Sequence, residues 1–72
     1  MKIEERIKDS LQERCRVTFL SPFNTHEIVE GKIISVESRK DAGMNIEAIN
    51  VITDTNETCS INIENILSID KI

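Results

Sequence analysis

Apolar positions follow two different periods along this chain. Ile3, Ile7 and Leu11 recur at i, i+4 and i+8, which places them on one narrow stripe of a helix with charged residues around the rest. That spacing predicts an amphipathic helix over residues 1–13 whose stripe lids one end of whatever follows. Glu4 and Glu5 in its first turn suit the helix dipole.

From residue 14 the period becomes two. Cys15, Val17 and Phe19 alternate with Arg14, Arg16 and Thr18, as in a half-buried first strand. Ser21-Pro22-Phe23-Asn24-Thr25 supplies turn chemistry: Pro22 fixes φ, Asn24 closes an Asx turn, and Phe23, as a large apolar group, is expected inside. The second strand, from His26 to Glu37, keeps no single phase. Val29, Gly31, Ile33 and Ser35 share one face while Ile28, Ile34 and Val36 share the other, so it is predicted to bend at Gly31 and serve two sheets.

Ser38-Arg39-Lys40-Asp41-Ala42-Gly43 reads as a polar loop. Met44, Ile46 and Ala48 then set one phase and Ile49 and Val51 the other. The third strand therefore carries a bulge near Ala48 and Ile49 or is buried on both faces. Thr53–Glu57 forms a hairpin loop, and Cys59, Ile61 and Ile63 make a fourth strand. Glu64-Asn65 leaves room only for a tight or 3₁₀ turn before a short last strand from Ile66. The expected fold is mainly β: one domain over 1–72, with an N-terminal helix and a strongly bent antiparallel five-stranded body over 14–72.

Composition sharpens this picture. There is no Trp or Tyr, only two Phe, and 17 Ile plus Val residues, so a β-branched aliphatic core is required. A chain of 72 residues buries only about 60% of its unfolded surface, which limits stability. The net charge of −4 lies in the strands, because residues 1–16 hold five bases against four acids. Such a body repels a phosphate backbone on average. No apolar run reaches the roughly 18 residues that span a bilayer, and the start lacks a signal-peptide centre, so the expected setting is cytoplasmic with no membrane partner. Cys15 and Cys59, far apart and each on an apolar phase, are expected as buried free thiols.

Certain runs resemble the Sm-like small barrels of the Sm, Hfq and Rho-binding antiterminator families, an SH3-like architecture. Gly31-Lys32-Ile33 with Val36-Glu37 resembles their G-x-L-x-x-x-D run, with Glu37 at the acidic position. Met44-Asn45-Ile46 resembles the M-N-x that follows, and Ile61–Ile69 resembles the I-R-G-x-x-I-x-x-I segment. The resemblance covers most of the chain from Cys15 onward and implies a five-stranded barrel with an RNA contact at Asn45. It departs where the Arg-Gly pair should stand, since Asn62 and Ile63 occupy those places, and the span from Glu37 to Met44 is about four residues longer than usual.

Catalytic and metal chemistry are not expected. His26 is the sole histidine and lacks an evident acid partner, no C-x-x-C or H-x-x-H spacing occurs, and Gly31 and Gly43 stand alone, so no phosphate loop forms. No cofactor follows from the sequence. The function expected is a small non-enzymatic binding module, a regulator that meets another protein through an acidic barrel surface carrying Glu27, Glu30, Glu47, Glu57 and Glu64. The alternative is an Sm-like RNA-binding oligomer, its contacts drawn from Arg14, Arg16, Arg39, Lys40 and Asn45 where the first strand and the long loop converge. A ligand pocket at the barrel mouth is a third reading.

Overall fold

Gly31 is where the longest strand changes partners. A computed structural model describes residues 3–72, the side chain of Asp41 excepted, as α1 (Ile3–Ser10), β1 (Arg14–Leu20), β2 (His26–Asp41), β3 (Met44–Thr53), β4 (Thr58–Asn62), a 3₁₀ turn (Ile63–Asn65) and β5 (Ile66–Lys71). β2 pairs with β1 from His26 to Lys32 and with β3 from Gly31 to Asp41, so the two ladders overlap only at Gly31 and Lys32. An ideal Cβ on Gly31 would fall on the carbonyl oxygen of Ile52 and within 2.8 Å of Thr53 Cα. The glycine therefore lets the β3 backbone cross closely where the sheet folds over. Straight, the 16 residues of β2 would span on the order of 50 Å, more than the 36 Å longest extent of the molecule, so the strand is bent as expected, but it serves one continuous sheet rather than two.

The strands form one antiparallel sheet in the order β4-β3-β2-β1-β5, with β4 and β5 as its hydrogen-bonding edges. One inward row follows from the register: Cys15 lies opposite Gly31, Val17 lies between Val29 and Ile69, Ile33 opposite Val51, and Ile49 opposite Ile61. These residues join Ile7, Ile63 and Ile66 in a single aliphatic core. Each isoleucine buried there contributes about 1.5–3 kcal/mol, and β-branching suits the pleated surface.

Several expectations need correction. The helix ends at Ser10 rather than 13: Gln12 takes a left-handed φ of 66° and donates its N–H to the Ile33 carbonyl at 2.8 Å, while Leu11 bridges to Ile33. The main chain there satisfies a strand instead of another helical turn. Ile7 is nonetheless buried, with Ile3 and Leu11 packed against the core, so the stripe does cap it. Residues 1 and 2 of the expected helix lie outside the described residues.

The segment Ser38–Asp41 is not a loop. It continues β2 in register with β3 down to Asp41 opposite Met44, and the connection is only Ala42-Gly43, both at positive φ (50° and 80°). That is the backbone of a type I′ hairpin turn, whose twist matches the strands it joins. The added residues thus lengthen the hairpin. Ladder irregularity falls between Ile33 and Ser35, opposite Val51 and Asn50, so the bulge sits on β2 at Ile34 rather than on β3. β3 meets the other expectation, since both Ala48 and Ile49 are buried.

Phe23 is 87% exposed, not buried. Its loop closes on Ser21, whose hydroxyl accepts the N–H groups of Phe23 and Thr25, while Asn24 contributes a left-handed φ of 62° rather than an Asx turn. The β3–β4 loop repeats the device: Thr53 N–H donates to Glu57 O, Thr53 Oγ1 accepts from Glu57 N–H, and Asn56 has φ 65°. Among the described residues no helix is long and apolar enough to cross a membrane.

Candidate functional site

The register scatters the acidic residues instead of collecting them. Glu27 lies opposite Phe19 and Glu30 opposite Arg16, three positions apart on β2 and so on opposite faces. Glu30 accepts from Arg16 Nε at 2.8 Å, which neutralises it. Glu57 sits in the β3–β4 loop. Only Glu47 and Glu64 come together. They line one cleft of about 450 Å³ with Ile3, Glu4, Asn45 and Asn62.

The basic residues do not converge either. Arg14 makes a two-point contact with Asp54, Nε to Oδ1 at 3.1 Å and Nη2 to Oδ2 at 2.6 Å. The hydrogen bond from Arg14 holds the Asp54 carboxyl below its ordinary range, and Asp54 in turn raises the guanidinium. Arg39 and Lys40 stand near the far end of β2, opposite Ile46 and Asn45. About seven residues of strand separate Arg39 from Lys32, the partner of Arg14, on the order of 23 Å along the chain. Asn45 is in β3 and shares its cleft with Asn62.

A second cavity adjoins the first. Ile7, Leu11, Val36 and Ile63 form an apolar groove of about 480 Å³ between α1 and the β2–β3 hairpin, with Glu4, Lys8 and Glu47 at its rim. Glu4, Glu47 and Ile63 belong to both cavities, which makes them one continuous surface. Glu4, Glu47 and Glu64 form no ion pair among the described residues, where the three pairs are Arg14–Asp54, Arg16–Glu30 and Lys71–Glu13. Sequence reasoning missed Glu4, Leu11 and Val36 as site residues. The signal for Glu4 was its place one residue beyond Ile3 on the helix; Val36 gave none beyond its apolar character on an otherwise polar strand end.

Other candidate chemistry stays dispersed. His26 is exposed at the start of β2, opposite Leu20. Cys15 is fully buried and directs its thiol toward the Glu13 carbonyl at 3.4 Å, while Cys59 is half-buried on β4 opposite Val51. Among the described residues no group of three or more His, Cys, Asp or Glu is placed to hold a metal ion.

Compared with protein-family models, curated proteins and solved structures, the chain matches none. Its class rests on its own geometry: a small β-rich domain with one N-terminal helix and one five-stranded antiparallel sheet.

Proposed function

We propose that this chain is a small non-enzymatic binding module, a regulator that acts by protein–protein interaction through the acidic surface around Glu47 and Glu64. The observation that carries this reading is the contrast in charge pairing. Arg14 and Arg16 are engaged by Asp54 and Glu30, whereas Glu4, Glu47 and Glu64 border a cleft and an apolar groove without a partner among the described residues. Apolar contact area beside unpaired charge that is mainly negative, three carboxylates against the single base Lys8, suits a partner of the opposite sign. The reading includes an Sm-like or SH3-like barrel, supported by the strand order and by a small cavity lined from both Phe19 of β1 and Ser60 of β4. It also assigns a cytoplasmic setting, with which the free buried Cys15 is in keeping.

The second reading, an RNA-binding oligomer, has two observations in its favour. Asn45 and Asn62 share a cleft, and β4 and β5 are unpaired edges. Light scattering on purified protein and a lysate pull-down with and without nuclease separate the two. Retention of a protein partner through nuclease treatment, by a monomer or dimer free of nucleic acid, supports the regulator. A ring that copurifies with RNA overturns it.

A further inference from the structure

The outer edge of β2 beyond its bend is free. β1 leaves β2 at Lys32, and the residues after α1 take up the next two positions, with Gln12 N–H on the Ile33 carbonyl and Gln12 Nε2 on the Ile34 carbonyl at 3.1 Å. From Ser35 to Asp41 no described main-chain group pairs with that side of β2. Such an edge is a template for another strand. Val36, 45% exposed, stands on it and lines the apolar groove against Ile7, Leu11 and Ile63. Register places Val36 and Ser38 on the same face of the hairpin as Glu47, which is opposite Ser38.

We propose that this edge takes up an extended, basic segment of a partner protein as an added strand, with one apolar side chain in the Ile7–Leu11–Val36–Ile63 groove and a Lys or Arg against Glu47 and Glu4. The proposal rests on the protein-binding reading above and names where and by what chemistry it occurs. Main-chain hydrogen bonds to the β2 edge give affinity, and the groove and carboxylates select alternate side chains. Charge complementarity decides the occupant: along the edge itself Glu37 and Asp41 balance Arg39 and Lys40 in the sequence, while beside it Glu4, Glu47 and Glu64 outnumber the single rim base Lys8, so a second copy of this acidic chain, at net −4, is a poorer fit.

The test uses a fluorescent eight-residue peptide of alternating valine and arginine, a version with glutamate for arginine, and a version N-methylated on alternate residues. Fluorescence anisotropy and backbone amide shifts of the full chain are the readouts. Expected are shifts centred on Val36–Lys40 and Leu11, and at least a tenfold weaker affinity for the glutamate and N-methylated peptides. Glu47→Lys and Val36→Lys should each weaken binding about tenfold, and Glu57→Lys should not. Shifts mapping to β4 or β5, or equal binding of the three peptides, would overturn the proposal. The two readings fail separately: a protein partner retained after nuclease by the double variant V36K/E47K refutes this site alone, whereas RNA as the sole retained species refutes both.

Discussion

Adding one methyl group at Gly31 tests the bend directly. An alanine Cβ there would stand within 2.8 Å of Ile52 C and Thr53 Cα and on the Ile52 carbonyl oxygen, where carbon contacts ordinarily lie about 3.5–4.0 Å apart. The obstacle is backbone, so no side chain can swing aside. β2 and β3 must separate by about 1 Å, which disturbs the ladder at Gly31–Thr53 and the 3.3 Å bond from Asp54 N–H to the Glu30 carbonyl. Overpacking costs about 1–3 kcal/mol and each lost bond about 1 kcal/mol, offset by about 0.4–1 kcal/mol from a stiffer unfolded chain. The expected net loss is about 2–4 kcal/mol, from a total of about 4–11 kcal/mol for a chain of this length. That corresponds to a melting temperature lower by about 10–25 °C. With no Trp or Tyr in the chain, far-UV circular dichroism under heat and urea is the appropriate assay. Gly43→Ala is the control, because nothing lies within 4 Å of that Cβ and its cost is the positive φ alone, about 1 kcal/mol. If Gly31→Ala costs no more than Gly43→Ala, the close approach is not what the glycine is for. Peptide or partner binding lost from Gly31→Ala at unchanged stability would likewise refute the assignment.

Three other outcomes are expected. Ala42→Asn should stabilise by about 0.5–1 kcal/mol, read as a higher urea midpoint at unchanged slope, because Ala42 occupies a left-handed turn position at φ 50° that asparagine tolerates better; a lower midpoint would count against the I′ turn. Ser10→Ala should raise stability by about 1 kcal/mol, since the buried Ser10 hydroxyl has no hydrogen-bond partner among the described residues and alanine favours the helix; a loss in urea titration would reveal a partner for that hydroxyl. The Asp54 carboxyl should titrate by NMR below the ordinary value of about 3.9 and return toward it in Arg14→Ala. Because the folded pKa is the lower one, any stability this pair contributes is present above about pH 4 and fades as pH falls through the folded value; an unchanged midpoint in Arg14→Ala would refute the pairing.

Elements with one wet and one dry face were legible in the sequence. Cys15, Val17 and Phe19 announce β1 by alternation, and the two apolar phases around Gly31 announce the bend. The hairpin end was not legible because Ser38–Lys40 is exposed on both faces and carries no alternation to read. Its strand character comes from pairing with Met44–Glu47 and from a two-residue turn whose Ala42 conceals a left-handed conformation. Nor could apolar phase alone decide which of two paired strands holds a bulge; the extra residue proved to be Ile34 rather than one beside Ala48. The candidate site suffered from the same dependence on register. Glu27, Glu30 and Glu57 looked equivalent to Glu47 and Glu64 in composition, but pairing with Arg16 and placement on other faces remove them from the cleft. Phe23 shows a further limit: apolar character predicts burial, and a five-residue loop closed by the Ser21 hydroxyl overrides it.

The bend and the free edge are one feature with two consequences. At Gly31 β2 turns toward β3, and β1, which starts at Arg14 opposite Lys32, extends no further along it. The chain before β1 covers only Ile33 and Ile34 through Gln12 before it enters α1. From Ser35 to Glu37 β2 still belongs to a three-stranded layer with β3 and β4, and only beyond Glu37, where β4 has ended, is the hairpin a two-stranded ribbon; an isolated hairpin is marginally stable in water. Its root is held by the Asn50–Ser35 bond at 3.1 Å and by Ile49 and Ala48 in the buried layer, while Val36 and Met44 remain exposed farther out. A strand added along Ser35–Asp41 would be a fourth strand beside β2, β3 and β4 at the root and would give the outer hairpin, Ser38–Asp41 with Met44–Glu47, the third strand it lacks. If the proposed strand addition occurs, Gly31 would serve it without touching a ligand: the close approach it permits starts the β3 ladder one residue before the β1 ladder stops at Lys32, which leaves an edge beside apolar and acidic side chains.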